Sequence, residues 1–187
     1  QKLINEQDLP DASEKLDMLQ FAIHTLESAG YRYIGMDHFA LEKDAMYQSF
    51  QAGTLHRNFM GYTASKTQVM IGLGISSISD SWYSFAQNVK TIEEYYECLA
   101  RNEIPVFKGH VLNQEDLIIR QHILNLMCSF STSWENSEML FPEIDEVLEQ
   151  LEEMAQDGLI EFSDSSVTIL EKGKPFVRNI CMAFDLR

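Results

Sequence analysis

The side chains suited to chemistry are five histidines, three cysteines and two polar clusters, and their spacing limits what they can do. His24, His38, His56, His110 and His122 form no HxH or HxxxH pair, so the pattern predicts no metal site built from this chain alone. Cys98, Cys128 and Cys181 contain no CxxC pair, which removes a zinc ribbon or a local redox motif. Each cysteine sits among apolar neighbours at helical spacing, which predicts buried reduced thiols and a cytoplasmic location. The clusters are Asp37 with His38, and His56 with Arg57 and Asn58. Arg57 can grip a carboxylate in a bidentate fork. Spacing alone favours the plainer reading, a hydrogen-bond network in a loop. GLGIS, residues 72–76, is not a dinucleotide loop, because Ser77 stands at the third glycine position of GxGxxG and no strong helix pattern follows. Gly72 and Gly74 let backbone come close either to a ligand or to another strand, and both readings stay open.

Asp11 and Glu14 have capping-box spacing, and Leu16, Leu19, Ile23 and Leu26 recur at helical period until Gly30. Tyr31, Tyr33 and Ile34 begin a short strand ending at Asp37 and His38, which together with the helix predicts one α/β unit of a parallel sheet. A short helix is expected over 42–52, stopped by Gly53. Residues 54–88 read as irregular, with two or three short strands at 69–71 and 75–78 among them. The last hundred residues read as mostly helical. Thr91 caps one helix with Ile92, Tyr95, Tyr96 and Leu99 on a face; Asn113 starts a second, with Leu117, Leu124, Met127 and Cys128 inward; Pro142 starts a third, ended by Gly158. A hairpin follows over 159–170, then a final helix introduced by Gly173 and Pro175. The overall expectation is an α+β, mostly helical chain with a winged-helix-like hairpin near its end.

Net charge is −15, from 29 acidic and 14 basic residues, a balance that repels phosphate backbones and anionic lipid. The one basic grouping, Lys172, Lys174 and Arg178, reads as a solvated face, so nucleic acid is not an expected partner. No apolar run reaches the roughly 18 residues of a membrane span. The N-terminal residues contain no apolar secretory region, and the opening at Gln1 instead of methionine reads as a piece cut from something longer.

GMDHFAL at 35–41, LHRNFMGYT at 55–63, IGLGISSIS at 71–79 and FAQN at 85–88 resemble the oxygen-independent coproporphyrinogen III oxidases in order and spacing. The resemblance continues through GHVLNQEDLIIRQHILNLMC at 109–128, DGLIEF at 157–162 and RNICMAFD at 178–185, and so spans essentially the whole chain. It implies the C-terminal portion of a radical SAM enzyme of haem biosynthesis. In that family three cysteines of an N-terminal partial (β/α) barrel hold a 4Fe–4S cluster, S-adenosylmethionine binds the open iron, and a reducing electron donor starts the radical chemistry. Two propionates of coproporphyrinogen III then become vinyl groups, giving protoporphyrinogen IX. The resemblance implies that residues 1–53 are the end of the barrel, its last α/β unit. It makes 54–187 the family's C-terminal domain, with 113–187 its winged-helix-like part. The cluster motif is absent here, so the chain alone is expected to be inactive and to need its own N-terminal barrel. The resemblance places Phe59, Met60 and Ile78 near S-adenosylmethionine; many members have Gln at the position of Met60, and Met lacks the amide's hydrogen bonds. His38 and Arg57 are the expected substrate-side residues, since a tetra-anionic substrate needs cationic or donor groups. Two other classes compete: a haem chaperone of the related radical SAM branch, which differs where LHRNFMGYT stands, and a winged-helix interaction module.

Overall fold

The computed structural model describes residues 5–185, which hold six α-helices and eleven strands in four antiparallel sheets. Helix α1 (Ala12–Ser28) begins with the expected reciprocal cap: Asp11 accepts from the Glu14 amide at 2.9 Å, and Glu14 accepts from the Asp11 amide at 3.0 Å. None of its residues is buried. Strand β1 (Tyr31–Gly35) does not enter a parallel sheet among the described residues. Gly35 (φ +153) and Met36 (φ +53) reverse the chain, and β1 pairs antiparallel with β2 (His38–Leu41). The expected parallel neighbour of β1 is not among the described residues: the turn brings the strand's sequence neighbour to one edge. Gly35 is required at this turn because the Tyr62 hydroxyl fills the space a Cβ would take.

Helix α2 (Ala45–Gln51) starts three residues later than expected, where the Asp44 carboxylate accepts from the Met46 amide at 2.8 Å. The expected irregular stretch is richer in strands than its composition implied. It contains the hairpin β3 (His56–Asn58) and β4 (Gly61–Thr63), followed by β5 (Val69–Met70), β6 (Ile78–Ser81) and β7 (Ser84–Asn88). Residues 75–77 are not strand, because Gly74 (φ +95) and Ser76 (φ +57) turn the backbone. After α3 (Ile92–Ala100), a further strand, β8 (Val106–Val111), interrupts the expected run of helices and completes a sheet ordered β5-β6-β7-β8. The chain is therefore mixed and not mostly helical. Glycine and serine had disguised the strands' alternation.

The last part follows the sequence pattern closely. Helix α4 (Gln114–Ser129) is capped by Asn113 and Asp116 through two bonds of 2.9 Å. Helices α5 (Ile144–Gln156) and α6 (Val177–Phe184) flank the expected hairpin of β10 (Ile160–Ser163) and β11 (Ser166–Ile169). A short strand missed in the sequence, β9 (Ser131–Ser133), pairs with β11. Leu126, Val147, Leu151, Val167, Val177, Ile180 and Phe184 form a core with no solvent exposure. His122 is buried among them. Its Nε2 lies 2.8 Å from the Met139 carbonyl and must donate there, so Nδ1 accepts from the Thr132 hydroxyl at 2.8 Å. This neutral tautomer is structural, and burial holds its pKa below the ordinary histidine value.

A smaller core of Ile34, Ala40, Leu55 and Tyr62 joins β1, β2 and the β3–β4 hairpin. The Tyr62 hydroxyl donates to the Met127 carbonyl at 2.9 Å and ties this unit to α4. Elsewhere apolar side chains face outward. Ile92, Tyr96 and Leu99 of α3, Val106, Phe107 and Val111 of β8, and Ile71, Leu73 and Ile104 in the connecting segments are all exposed.

Candidate functional site

The β3–β4 hairpin carries Arg57, Phe59 and Met60, and Tyr62 is the pivot around which the sequence-predicted residues gather. Arg57 and Tyr62 are paired in register, and the Arg57 guanidinium carbon lies 5.5 Å from the Tyr62 ring centroid. His38 meets the same ring edge-on, with centroids 5.0 Å apart. Its imidazole is seated because Gly61 (φ +123) leaves room: a Cβ there would come within 3.2 Å of His38 Nε2. His38 Nδ1 is 2.7 Å from the Asp37 carboxylate, without hydrogen-bonding alignment. The structure thus brings the two substrate-side candidates onto one aromatic residue.

Arg57 and the exposed Arg178 differ from the other described arginines, and of the two only Arg57 is half-buried. Arg32, Arg101 and Arg120 each pair with a carboxylate at 2.7 to 2.9 Å. Arg57 has no such partner among the described residues, despite the excess of acid in the chain. Its Nη2 reaches only the Met36 sulfur at 3.6 Å, a weak acceptor, and its Nε is buried without any hydrogen bond. A guanidinium left this way lacks an acceptor that a bound carboxylate would supply.

Phe59 and Met60 are exposed at the hairpin, where Asn58 fixes the turn by accepting from the Met60 amide at 2.8 Å. Phe59 stands edge-on against Phe85, centroids 5.1 Å apart and planes at 90°. Arg57 and Phe59 line one cleft of about 480 Å³, with Phe85, His110, Asp80 and Arg120 among its other walls. His38, Met60 and Ile78 are not part of that lining. Ile78 is half-buried at the start of β6, where the Gly72 backbone comes so close that a Cβ would lie 2.7 Å from the Ile78 carbonyl. At Gly72 the close approach is to strand backbone. Asn88 holds the loop by donating to the Gly72 and Gly74 carbonyls at 3.1 and 2.8 Å, and the Tyr95 hydroxyl accepts from the Gly74 amide at 3.2 Å.

Three features of this region escaped the sequence reading. The Asp80–Arg120 ion pair joins residues too distant for any local pattern to reveal. Asn88 gave no signal beyond its type. His110 Nε2 lies 3.1 Å from the Asp116 carboxylate, and the capping spacing after Asn113 was the available hint that Asp116 would be held there. His56, in the same cluster as Arg57, is buried, and burial together with nearby Lys66 and Arg120 lowers its pKa.

The chain does not suit an iron–sulfur cluster. Among the described residues no three His, Cys, Asp or Glu side chains converge as a metal site. Cys181 is buried and Cys98 and Cys128 half-buried, and burial pushes the Cys128 thiol up to about 11 and the Cys181 thiol up to about 12, so both rest as neutral thiols. In the basic grouping near the end, Lys172 donates to the Asp157 carbonyl and Lys174 pairs with Glu171, while Arg178 is exposed. No helix among the described residues is long and apolar enough to cross a membrane.

No protein-family model matches the chain. It is 38% identical over 190 residues to the oxygen-independent coproporphyrinogen III oxidase of Salmonella typhimurium, covering 99% of this chain and 42% of that protein. It is 40% identical over 191 residues to the enzyme of the same name from Pseudomonas aeruginosa, covering 99% and 41% respectively. Among solved structures, coproporphyrinogen III oxidase from Escherichia coli, described as a radical SAM enzyme, matches with a TM-score of 0.89 at 36% identity, over 98% of this chain and 43% of that one. The chain spans about two fifths of the length of these relatives.

Proposed function

The chain is a relative of the oxygen-independent coproporphyrinogen III oxidases along almost its entire length, and from that premise we propose that it is the C-terminal part of an anaerobic coproporphyrinogen III oxidase. The carrying observation is the 36–40% identity to these enzymes joined to the 0.89 structural match. In the reaction proposed, each of two propionates loses a hydrogen atom, carbon dioxide and one electron, leaving a vinyl group and converting coproporphyrinogen III to protoporphyrinogen IX. The cluster and S-adenosylmethionine supply the hydrogen-abstracting chemistry, and the cluster's ligands lie outside this chain.

This chain's own residues have positioning roles in that reading. Arg57, on the wall of the cleft without a carboxylate partner among the described residues, anchors a substrate carboxylate, and His38 packs on the same Tyr62 ring. Phe59, Met60 and Ile78 offer apolar contact to S-adenosylmethionine; at Met60 the contact is through the thioether and backbone alone. Residues 1–53 belong with the end of the barrel, and 54–187 with a domain that covers its mouth, 113–187 being the winged-helix-like part. The exposed side chains of Ile71, Leu73, Ile104 and Val111 fit a face that packs on that barrel. The protein acts in the cytoplasm and draws on a reducing electron donor.

The test is anaerobic reconstitution of the full-length protein with iron and sulfide. Under reducing conditions it should cleave S-adenosylmethionine and consume coproporphyrinogen III, while residues 1–187 alone should do neither. Turnover in air without a cluster refutes the reading. Haem binding without turnover assigns the protein to the chaperone branch instead.

A further inference from the structure

Arg120 reaches from α4 to the β6–β7 hairpin, forty residues away in sequence. Its Nη2 meets both Asp80 oxygens, at 2.9 and 3.2 Å, and its Nη1 donates to the Ser81 and Trp82 carbonyls, at 3.0 and 3.2 Å. The guanidinium carbon also lies 4.8 Å from the ring centroids of Trp82 and Phe85. One side chain therefore fixes the turn of the hairpin and the ring that follows it. Phe85 is in turn the edge-on partner of Phe59, which is half-exposed at a hairpin turn. Asp80, Arg120, Phe85 and Phe59 all line the same cleft.

A nearly buried ion pair is weak ground for stability, since apolar residues of similar volume commonly serve as well. Its value here lies in geometry. We propose that Arg120 is a positioning residue: through Phe85 it sets the orientation in which the Phe59 ring meets S-adenosylmethionine. The inference rests on the reading of Phe59 as a cofactor contact. Lysine cannot substitute, because a point charge has neither the fork that holds Asp80 and two carbonyls nor the plane that faces the rings.

The experiment uses the full-length enzyme and measures equilibrium binding of S-adenosylmethionine together with its KM and kcat. Phe59→Leu and Arg120→Lys are each expected to weaken binding about tenfold and to raise KM for S-adenosylmethionine by more than they change kcat, and the double variant should bind no worse than the weaker single variant. If Arg120→Lys does not fold, Asp80→Asn removes the ion pair at constant size and is read the same way. The proposal is overturned if Phe59→Leu weakens binding while Arg120→Lys, or Asp80→Asn, leaves it unchanged, or if the two effects multiply. Unchanged binding by Phe59→Leu overturns the cofactor reading of Phe59 itself, and the inference with it.

Discussion

Replacing Arg57 with methionine should damage turnover while leaving the fold equally stable or more stable. The sign follows from the contacts. Arg57 contributes one cation–π contact to Tyr62, worth about 0.5–1 kcal/mol, and one long approach to a sulfur. Against these stands a buried Nε with no acceptor, a defect costing about 1–3 kcal/mol. Methionine keeps much of the apolar stem and removes the defect, so the net change is roughly 0–2 kcal/mol in favour of the folded state. For a domain of this size that corresponds to a rise of up to about 8 °C in the thermal midpoint. A charge-assisted bond to a substrate carboxylate is worth about 1.5–3 kcal/mol, so KM for coproporphyrinogen III should rise by roughly 10- to 150-fold. Thermal denaturation and anaerobic kinetics of the full-length variant measure both. A lowered midpoint with unchanged KM would refute the reasoning, because Arg57 would then be a structural residue whose acceptor had been misjudged.

Other perturbations test the local arguments. His122 and His56 have lowered folded pKa values, so below the unfolded value near 6.5 the unfolded chain takes up protons that the folded chain refuses. Stability should fall as pH drops through that window, by at most about 1.4 kcal/mol per pH unit for each group. His122→Gln should flatten the slope in pH-dependent chemical denaturation, and an unaltered slope would exclude His122 as its source. Asn88→Ala strips the donor from the Gly72 and Gly74 carbonyls, which should cost about 1–3 kcal/mol and speed amide exchange in 71–77; protection equal to the parent's would show that the loop holds itself. Gly35→Ala places a methyl against the Tyr62 hydroxyl, so it should be strongly destabilising, and Tyr62→Phe in the same chain should recover part of the loss in the thermal midpoint. Strict additivity of those two substitutions would contradict the packing described.

How much of this could be read beforehand depended on the range of the interactions. Capping is local, so Asp11 with Glu14, Thr91, and Asn113 announced three helices correctly. Apolar periodicity placed α5 and the β10–β11 hairpin for the same reason. The α3 stripe of Ile92, Tyr96 and Leu99 was legible as a stripe, but it faces outward among the described residues, and periodicity does not say what covers a face. The strands between 54 and 111 were obscured because serine, glycine and histidine occupy positions where alternating aliphatic residues would have marked them. Around the candidate site, Arg57 and His38 could be named from residue type and neighbours. Their meeting at Tyr62, and the reach of Arg120 to Asp80, depend on how separate hairpins and helices pack, which no local pattern encodes.

Strand β8 forms one margin of its sheet, and all six of its residues face solvent. Its outer rim of amide and carbonyl groups is a template for any other extended chain, and Val106, Phe107 and Val111 make such pairing adhesive. Lys108 is the only lysine, arginine, aspartate or glutamate within this strand. A single lysine is thin insulation for so long a margin. Anyone handling these residues as a separate polypeptide should expect self-association to begin there, and should expect a second charge in the middle of β8 to delay it.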